Sequence, residues 1–422
     1  MFDYVIKREI ARILTRAAVF LASALAVAAL VLLAVGCSAD DRRRDTGVFL
    51  MGDGGAESDA AAMADAAAMA DAAAMADAGA VDATTLDADA GEADAGTADT
   101  GTPTSVRDVV AAGGTHTCAI RAGAVYCWGG GTGGRSRLAP VLVAGIVGAV
   151  ELSAGASHTC ARRSSGTVVC WNGAGITEVV GLTDAVQVSA GYDYSCARRS
   201  SGVVVCWGAN GFGQLGDGTT TDRTTPADVS GLVDASDISA GFGTACAVRA
   251  SGAVVCWGYG IDGTGINRLV PTLIPGLVDA SQVSAGSSHV CALRASGSVM
   301  CWGSGPIGDG SRFRAAPTAV SDITDAVQVS AGYAHGCARR SSGAVACWGP
   351  NEAGHLGDGT VIERLTPVPV RGLDDAAGLS LGVGHSCVVT TDGTILCWGS
   401  NGSGELGDGT GMGRLELTSP AW

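Results

Sequence analysis

Lysine is almost missing from this chain: Lys7 is the only one in 422 residues, so every other basic residue is arginine. No arginine stripe compensates. Residues 106–422 carry 24 acids against 19 arginines, close to balance, whereas a nucleic-acid surface needs a concentrated positive field. No nucleic-acid partner is expected. Paired carboxylates, a nucleophile elbow and a Cys–His dyad are also missing above the repeat background, so the chain does not read as an enzyme. It contains no C-x-x-C zinc spacing and no D-x-D-x-D-G loop closed by Glu. Neither a metal nor another cofactor is expected.

What the chain does have is one phrase said seven times. CALRASGSVMCWG, from Cys291, recurs from Cys118, Cys160, Cys196, Cys246, Cys337 and Cys387, and the seven Cys-Trp dipeptides have a mean spacing of 45 residues. Periods of that length indicate propellers or solenoids. Within one unit, AVQVSAG (185–191) alternates and then turns small, as an innermost strand must near a central axis. SCARR and VVVCWG form a hairpin around Ser201 and Gly202, and PADVSGL (226–232) supplies an outer strand. The predicted fold is all-β, a seven-bladed propeller of four-stranded blades over residues 106–422.

The cysteines follow from that hairpin. A three-residue loop of Ala295, Ser296 and Gly297 puts Cys291 opposite Cys301 on antiparallel strands. The first unit has lost one loop residue, and its cysteines are nine apart rather than ten. A two-residue Ala122-Gly123 loop again leaves Cys118 facing Cys127. Facing positions of this kind approach the separation a disulfide needs. Seven bridges within blades are expected: Cys118–Cys127, Cys160–Cys170, Cys196–Cys206, Cys246–Cys256, Cys291–Cys301, Cys337–Cys347 and Cys387–Cys397.

One of the fifteen cysteines, Cys37, is left over. It closes an apolar run (17–36) that follows Lys7, Arg8, Arg12 and Arg16, the pattern of an export segment. The ending LAVGC resembles a bacterial lipoprotein signal, with Leu33 one place further from the cysteine than that family prefers. The resemblance implies acylation of Cys37. An uncleaved helical anchor and ordinary cleavage leaving a free thiol are the other readings of residues 1–37. All three place the body of the protein in the cell envelope, outside the cytoplasm, and the first two tether it to a membrane by a lipid or a helix.

Residues 38–105 are Ala, Asp, Gly and Thr with almost no aromatic or branched side chains. Such a stretch buries too little apolar surface to offset the entropy of ordering. It reads as an acidic, disordered linker, spanning on the order of 45 Å if flexible.

CWGANGFGQLGDGT from Cys206, CWGPNEAGHLGDGT from Cys347 and CWGSNGSGELGDGT from Cys397 resemble the repeat of the regulator of chromosome condensation family, a seven-bladed propeller. The likeness covers residues 106–422, and units one, two, four and five have lost much of the GQLG loop. Five of the six histidines, His116, His158, His289, His335 and His385, occupy one repeat position, where the family resemblance implies that each anchors its own turn. The GxGxxG matches at 211–216 and 402–407 open no helix and are not phosphate cradles. The acids of the GDG turns, Asp217, Asp309, Asp358 and Asp408, are turn formers.

Candidate binding residues are those that break the repeat. After the glycine that ends each inner strand come Gly114, Ala156, Tyr192, Phe242, Ser287, Tyr333 and Val383. Large aromatics at three of these, joined by Tyr194 and Asp193, suit a binding surface for a protein or a glycan. The alternatives are a structural envelope component without a dedicated ligand and an enzyme with an axial pocket.

Overall fold

A computed structural model describes residues 110–131, 136–260 and 265–422. The export segment and the linker, with Cys37, lie outside the described residues. Twenty-eight strands, from β1 (Val110–Ala112) to β28 (Arg414–Thr418), form seven four-stranded antiparallel sheets. Each sheet takes four consecutive strands. In the third blade these are β9 (Ala185–Ala190), innermost, then β10 (Tyr194–Arg199), β11 (Val204–Gly208) and β12 (Arg223–Asp228).

The outer strand starts and ends three to four residues earlier than its sequence pattern suggested. Arg223 begins it because its guanidinium is held by Asp217, Nε to Oδ2 at 3.0 Å. Val229 leaves it to turn inward and is buried. The apolar residues that resemble a strand end are therefore core contacts beneath a turn.

The hairpins form as the loop lengths require. Arg294 N donates to Ser298 O at 2.9 Å around the three-residue loop. In the first blade Arg121 pairs directly with Ala124. Ala122 and Gly123 both take positive φ (51° and 79°), as a two-residue turn matching the strand twist demands. The facing register is kept in all seven blades, and each expected cysteine pair is bonded.

Among the described residues no strand is exchanged between first and last blades, so the ring closes by other means. Seven main-chain hydrogen bonds of 3.0–3.3 Å circle the axis where the inner strands end. They run from Gly114, Ala156, Tyr192, Phe242, Ser287, Tyr333 and Val383 N to a carbonyl of the following blade, and Val383 N closes the circle on Gly113 O. The preceding glycines make this approach possible. A Cβ on Gly113, Gly155, Gly191, Gly241, Gly286, Gly332 or Gly382 would lie 2.1–2.7 Å from a main-chain oxygen of the next blade, closer than any side chain allows.

Further out, side chains staple each blade to the next. His385 Nε2 meets Thr117 Oγ1 of the first blade at 2.8 Å; that hydroxyl donates to Glu405 O at 2.8 Å, and Trp128 Nε1 donates to the same carbonyl at 2.8 Å. The sixth and seventh blades repeat the arrangement with His335, Ser386, His355 O and Trp398. The hydroxyl gives its single proton to the carbonyl, so the ring Nε2 carries a hydrogen and Nδ1 is the bare acceptor.

The expectation that each histidine anchors its own turn is corrected here. Those turns are closed by main chain in every blade, at 2.8–2.9 Å from Gly113 N to His116 O and its six equivalents, including the two blades without histidine. The imidazole is free to reach across. His116 and His158 bond Thr159 and Ser195 of the following blade.

Candidate binding face at the propeller axis

The turns after the inner strands open on one end of the axis, and there the structure gathers three of the repeat-breaking aromatics. Tyr192 and Phe242 stand with ring centroids 4.4 Å apart at 53°, and Phe242 meets Tyr333 edge-on at 6.3 Å. All three are half-buried. With Ser287 and Val383 they ring a shallow depression of about 100 Å³ over the glycine circle. Burial, then the nearby Asp193 charge and Tyr333, push the Tyr192 phenol up. The ring is neutral at physiological pH and acts as an apolar body with a polar tip.

Tyr194 does not join them. It is 1% exposed, and its hydroxyl donates to Thr244 O of the next blade at 2.8 Å. The expectation that it contributes to a binding surface is corrected. It occupies the histidine position, points between blades, and borders a cavity there without reaching the axial face. Asp193 is exposed, with its carboxyl pushed up by burial of its charge. It faces a separate cavity between the second and third blades.

Two further aromatics were missed from sequence. Phe212 and Tyr259 are paired at 5.4 Å and exposed at 39% and 44%. A Cβ on Gly243 would lie 3.0 Å from Phe212 Cδ2, so the pair continues outward from the turn carrying Phe242. Phe212 sits inside a GQLG loop, where repetition disguises it, and Tyr259 follows a Trp-Gly that every blade repeats in some form.

Below the depression the axis is a polar channel of about 180 Å³ lined by the inner strands. Its acids serve the fold. Glu151 Oε2 accepts from Arg162 Nε at 2.6 Å, and Oε1 caps Val188 N at 3.1 Å. Asp237 accepts from Gln187 Nε2 at 2.7 Å and from Val283 N at 2.8 Å. Each side chain ties one inner strand to the next. The GDG acids behave as expected of turn formers: Asp217 Oδ1 accepts from Thr219 N and Oγ1, and Oδ2 from Arg223. Burial works to raise that carboxyl, but these bonds outweigh it and hold it below its usual range. Among the described residues no group of three or more His, Cys, Asp or Glu converges to hold a metal.

Family comparisons agree with this architecture. Two models of the regulator of chromosome condensation (RCC1) repeat match, one at residues 149–171, 185–214, 280–306, 326–354 and 377–405 and the other at 201–248 and 342–389. The matched stretches are RCC1 repeats, set in a seven-bladed propeller. Its fold is similar to that of human WBSCR16, at a TM-score of 0.61 and 19% identity over 67% of this chain and 85% of that one. It is also similar to Prp20p from Saccharomyces cerevisiae, with binding properties described toward Gsp1p and histones, at 0.58 and 21% over 65% and 80%. The same yeast protein bound to Kap60 matches at 0.56 and 22% over 65% and 77%. At these identities the likeness is one of fold. No curated protein matches the sequence.

Proposed function

We propose that this RCC1-repeat propeller is an exported, membrane-tethered binding protein, without catalytic activity, that captures a protein partner on its axial aromatic face. The observation that carries the reading is the convergence of Tyr192, Phe242 and Tyr333, three residues that break the repeat, on one depression. Fold maintenance does not ask for bulk there, since Gly114, Ala156 and Ser287 fill the same position in other blades. Similar propellers with protein partners support a protein ligand as the fold-level expectation. Seven disulfides suit an oxidising compartment. The basic-then-apolar N-terminus ending at Cys37 supplies a route of export and a tether.

Affinity capture with the full chain tests the face. Tyr192→Ala and Tyr333→Ala should each weaken capture of a partner by roughly thirtyfold, about 2 kcal/mol, with the melting temperature nearly unchanged. A lowered melting temperature with full capture would make the rings packing residues instead. Fatty-acid labelling tests the tether: Cys37→Ser should abolish label and release the protein from membranes. An unlabelled wild-type chain that retains its first 36 residues would replace lipidation by a helical anchor.

A further inference from the structure

The cavity that Asp193 faces is the largest of the three described above, about 290 Å³, with Trp171, Trp207, Asn172, Thr177 and Ser195 also in its wall. Its origin is a missing loop. In the second blade only Gly173 and Ala174 join the third strand (Val168–Asn172) to the fourth (Gly175–Glu178), whereas the third blade inserts residues 209–222 at the same point. No loop of the second blade therefore lies over the tryptophan of the third, whose ring packs against a cluster that includes Val168 and Leu182.

The same place is filled three times elsewhere in this molecule, once by Gln214 O with Trp257 Nε1 as its donor at 2.8 Å, and the two cases that also have a hydroxyl show what it accepts. Between the sixth and seventh blades, Ser386 Oγ and Trp398 Nε1 converge on one main-chain oxygen, that of His355, at 3.0 and 2.8 Å. Between the seventh and first, Thr117 Oγ1 and Trp128 Nε1 converge on Glu405 O, both at 2.8 Å. The carbonyl belongs each time to a glycine-flanked turn whose next residue, Leu356 or Leu406, is fully buried. Between the second and third blades the two donors are Ser195 and Trp207. His158 Nε2 meets Ser195 Oγ at 2.8 Å, as its equivalents do, and with no carbonyl in place the hydroxyl proton goes to the disulfide sulfur Cys160 Sγ at 3.4 Å, a weak acceptor that a ligand carbonyl can replace. Trp207 is half-buried, and its Nε1 has no partner among the described residues.

We propose that this pocket binds a main-chain turn of a partner polypeptide, with one carbonyl oxygen held by Trp207 Nε1 and Ser195 Oγ and an apolar side chain beside the indole. Asp193 stands at the same wall as an acceptor for an amide N–H. The receiving strand also sets a preference. Leu138, Leu269 and Leu415 press on the first glycine of the loop they receive, so that a Cβ on Gly404, Gly213 or Gly354 would lie 2.4–3.0 Å from the leucine side chain. The third blade has exposed Thr224 in that place. The leucine contact is absent there, while the left-handed φ of Gly213, Gly354 and Gly404 (77°, 82° and 88°) keeps glycine favoured at that place in the turn. This site does not depend on the axial aromatics being a binding surface.

The test uses the full chain and an end-blocked peptide copying this protein's own turn, residues 401–410. With the indole nitrogens labelled, millimolar peptide should shift the Trp207 N–H resonance, identified by its loss in Trp207→Phe, in a saturable way. Polarisation of a dye-labelled peptide should show binding weakened about tenfold or more in Trp207→Phe and unchanged in Tyr192→Ala. A Trp207 resonance that does not move in the wild-type protein overturns the proposal, whatever the variant does. An equal shift with N-acetylglucosamine would also overturn it, in favour of an acetamido sugar.

Discussion

Two blade interfaces that the repeat makes nominally equal are built differently. Between the seventh and first blades, His385, Thr117, Glu405 O and Trp128 form a closed hydrogen-bonded set. Between the fifth and sixth, His289 has neither ring nitrogen bonded and Trp348 Nε1 is also without a partner. Two losses explain this. The fifth blade keeps the end of its loop, with Ile307 buried and Asp309 paired to Arg314, but the loop is shortened and the carbonyl of Pro306, the residue before Ile307, takes no bond from Trp348 Nε1. The hydroxyl position of the sixth blade is Gly336, and the Trp348 ring occupies the space a side chain would need, 2.7 Å from an added Cβ. Where the hydroxyl is lost elsewhere, as Ala245 and Val290, the preceding blade has changed its histidine too, to Tyr194 and Thr244. Histidine and hydroxyl behave as one unit, and His289 is a half without its partner.

Acid should have the largest effect, and it treats both interfaces alike. Burial lowers His116, His158 and His289 to about 4 and His385 to about 3, and in His116 the neighbouring His158 adds to the effect. A proton would have to enter at a buried Nδ1 that has no partner in His116, His289 and His385. The unfolded chain takes up protons near pH 6.5 while the folded rings stay neutral. Stability is therefore full above about 6.5 and falls as the pH drops toward about 4. Each unit of separation is worth about 1.4 kcal/mol, so the buried rings together cost several kcal/mol. Melting temperatures measured across that window should fall steeply; a flat profile would mean the rings are accessible to protons in the fold.

Substitution, unlike acid, should separate the interfaces. His385→Leu removes a satisfied bond to Thr117 and is expected to cost about 1–2 kcal/mol. His289→Leu removes two unbonded buried polar atoms at similar volume, and should be neutral or stabilising by about 1 kcal/mol. Urea midpoints in non-reducing buffer measure both. Equal losses would show that His289 contributes to the fold in a way the hydrogen bonds do not reveal.

What was legible in the sequence is what lies within one blade. Hairpin length fixes the strand register, register fixes the cysteine pairs, and seven phrases fix seven blades. The links between blades were not legible, because the partner of Trp398 is a carbonyl at His355 and the partner of His335 is Ser386, one repeat away in the chain. Repetition shows which residues recur and conceals which neighbour each one meets. Tyr192 and Tyr194 show the same limit at a single turn. Both look like repeat-breaking aromatics, yet the first follows the glycine and opens on the axis, while the second begins β10 and enters the space between blades. The clue was in the following unit, where Ala245 offers no hydroxyl for a histidine to bond.

The smallest expected effect isolates the indole bond itself. Trp398→Phe deletes the donor to His355 O, and Ser386 still donates to that carbonyl at 3.0 Å, so the acceptor keeps a partner and only one bond is lost. Trp348→Phe deletes an N–H that bonds nothing among the described residues. Both indoles are fully buried, so the loss of ring volume is common to the two variants and cancels in their difference. Trp398→Phe should then be more destabilising than Trp348→Phe by about 1 kcal/mol, the net worth of one buried hydrogen bond. Paired denaturant titrations resolve a gap of that size. If Trp348→Phe were instead the more damaging, its ring would be holding the sixth blade in place by filling the room above Gly336, and the incomplete interface would rest on shape where the complete one rests on hydrogen bonds.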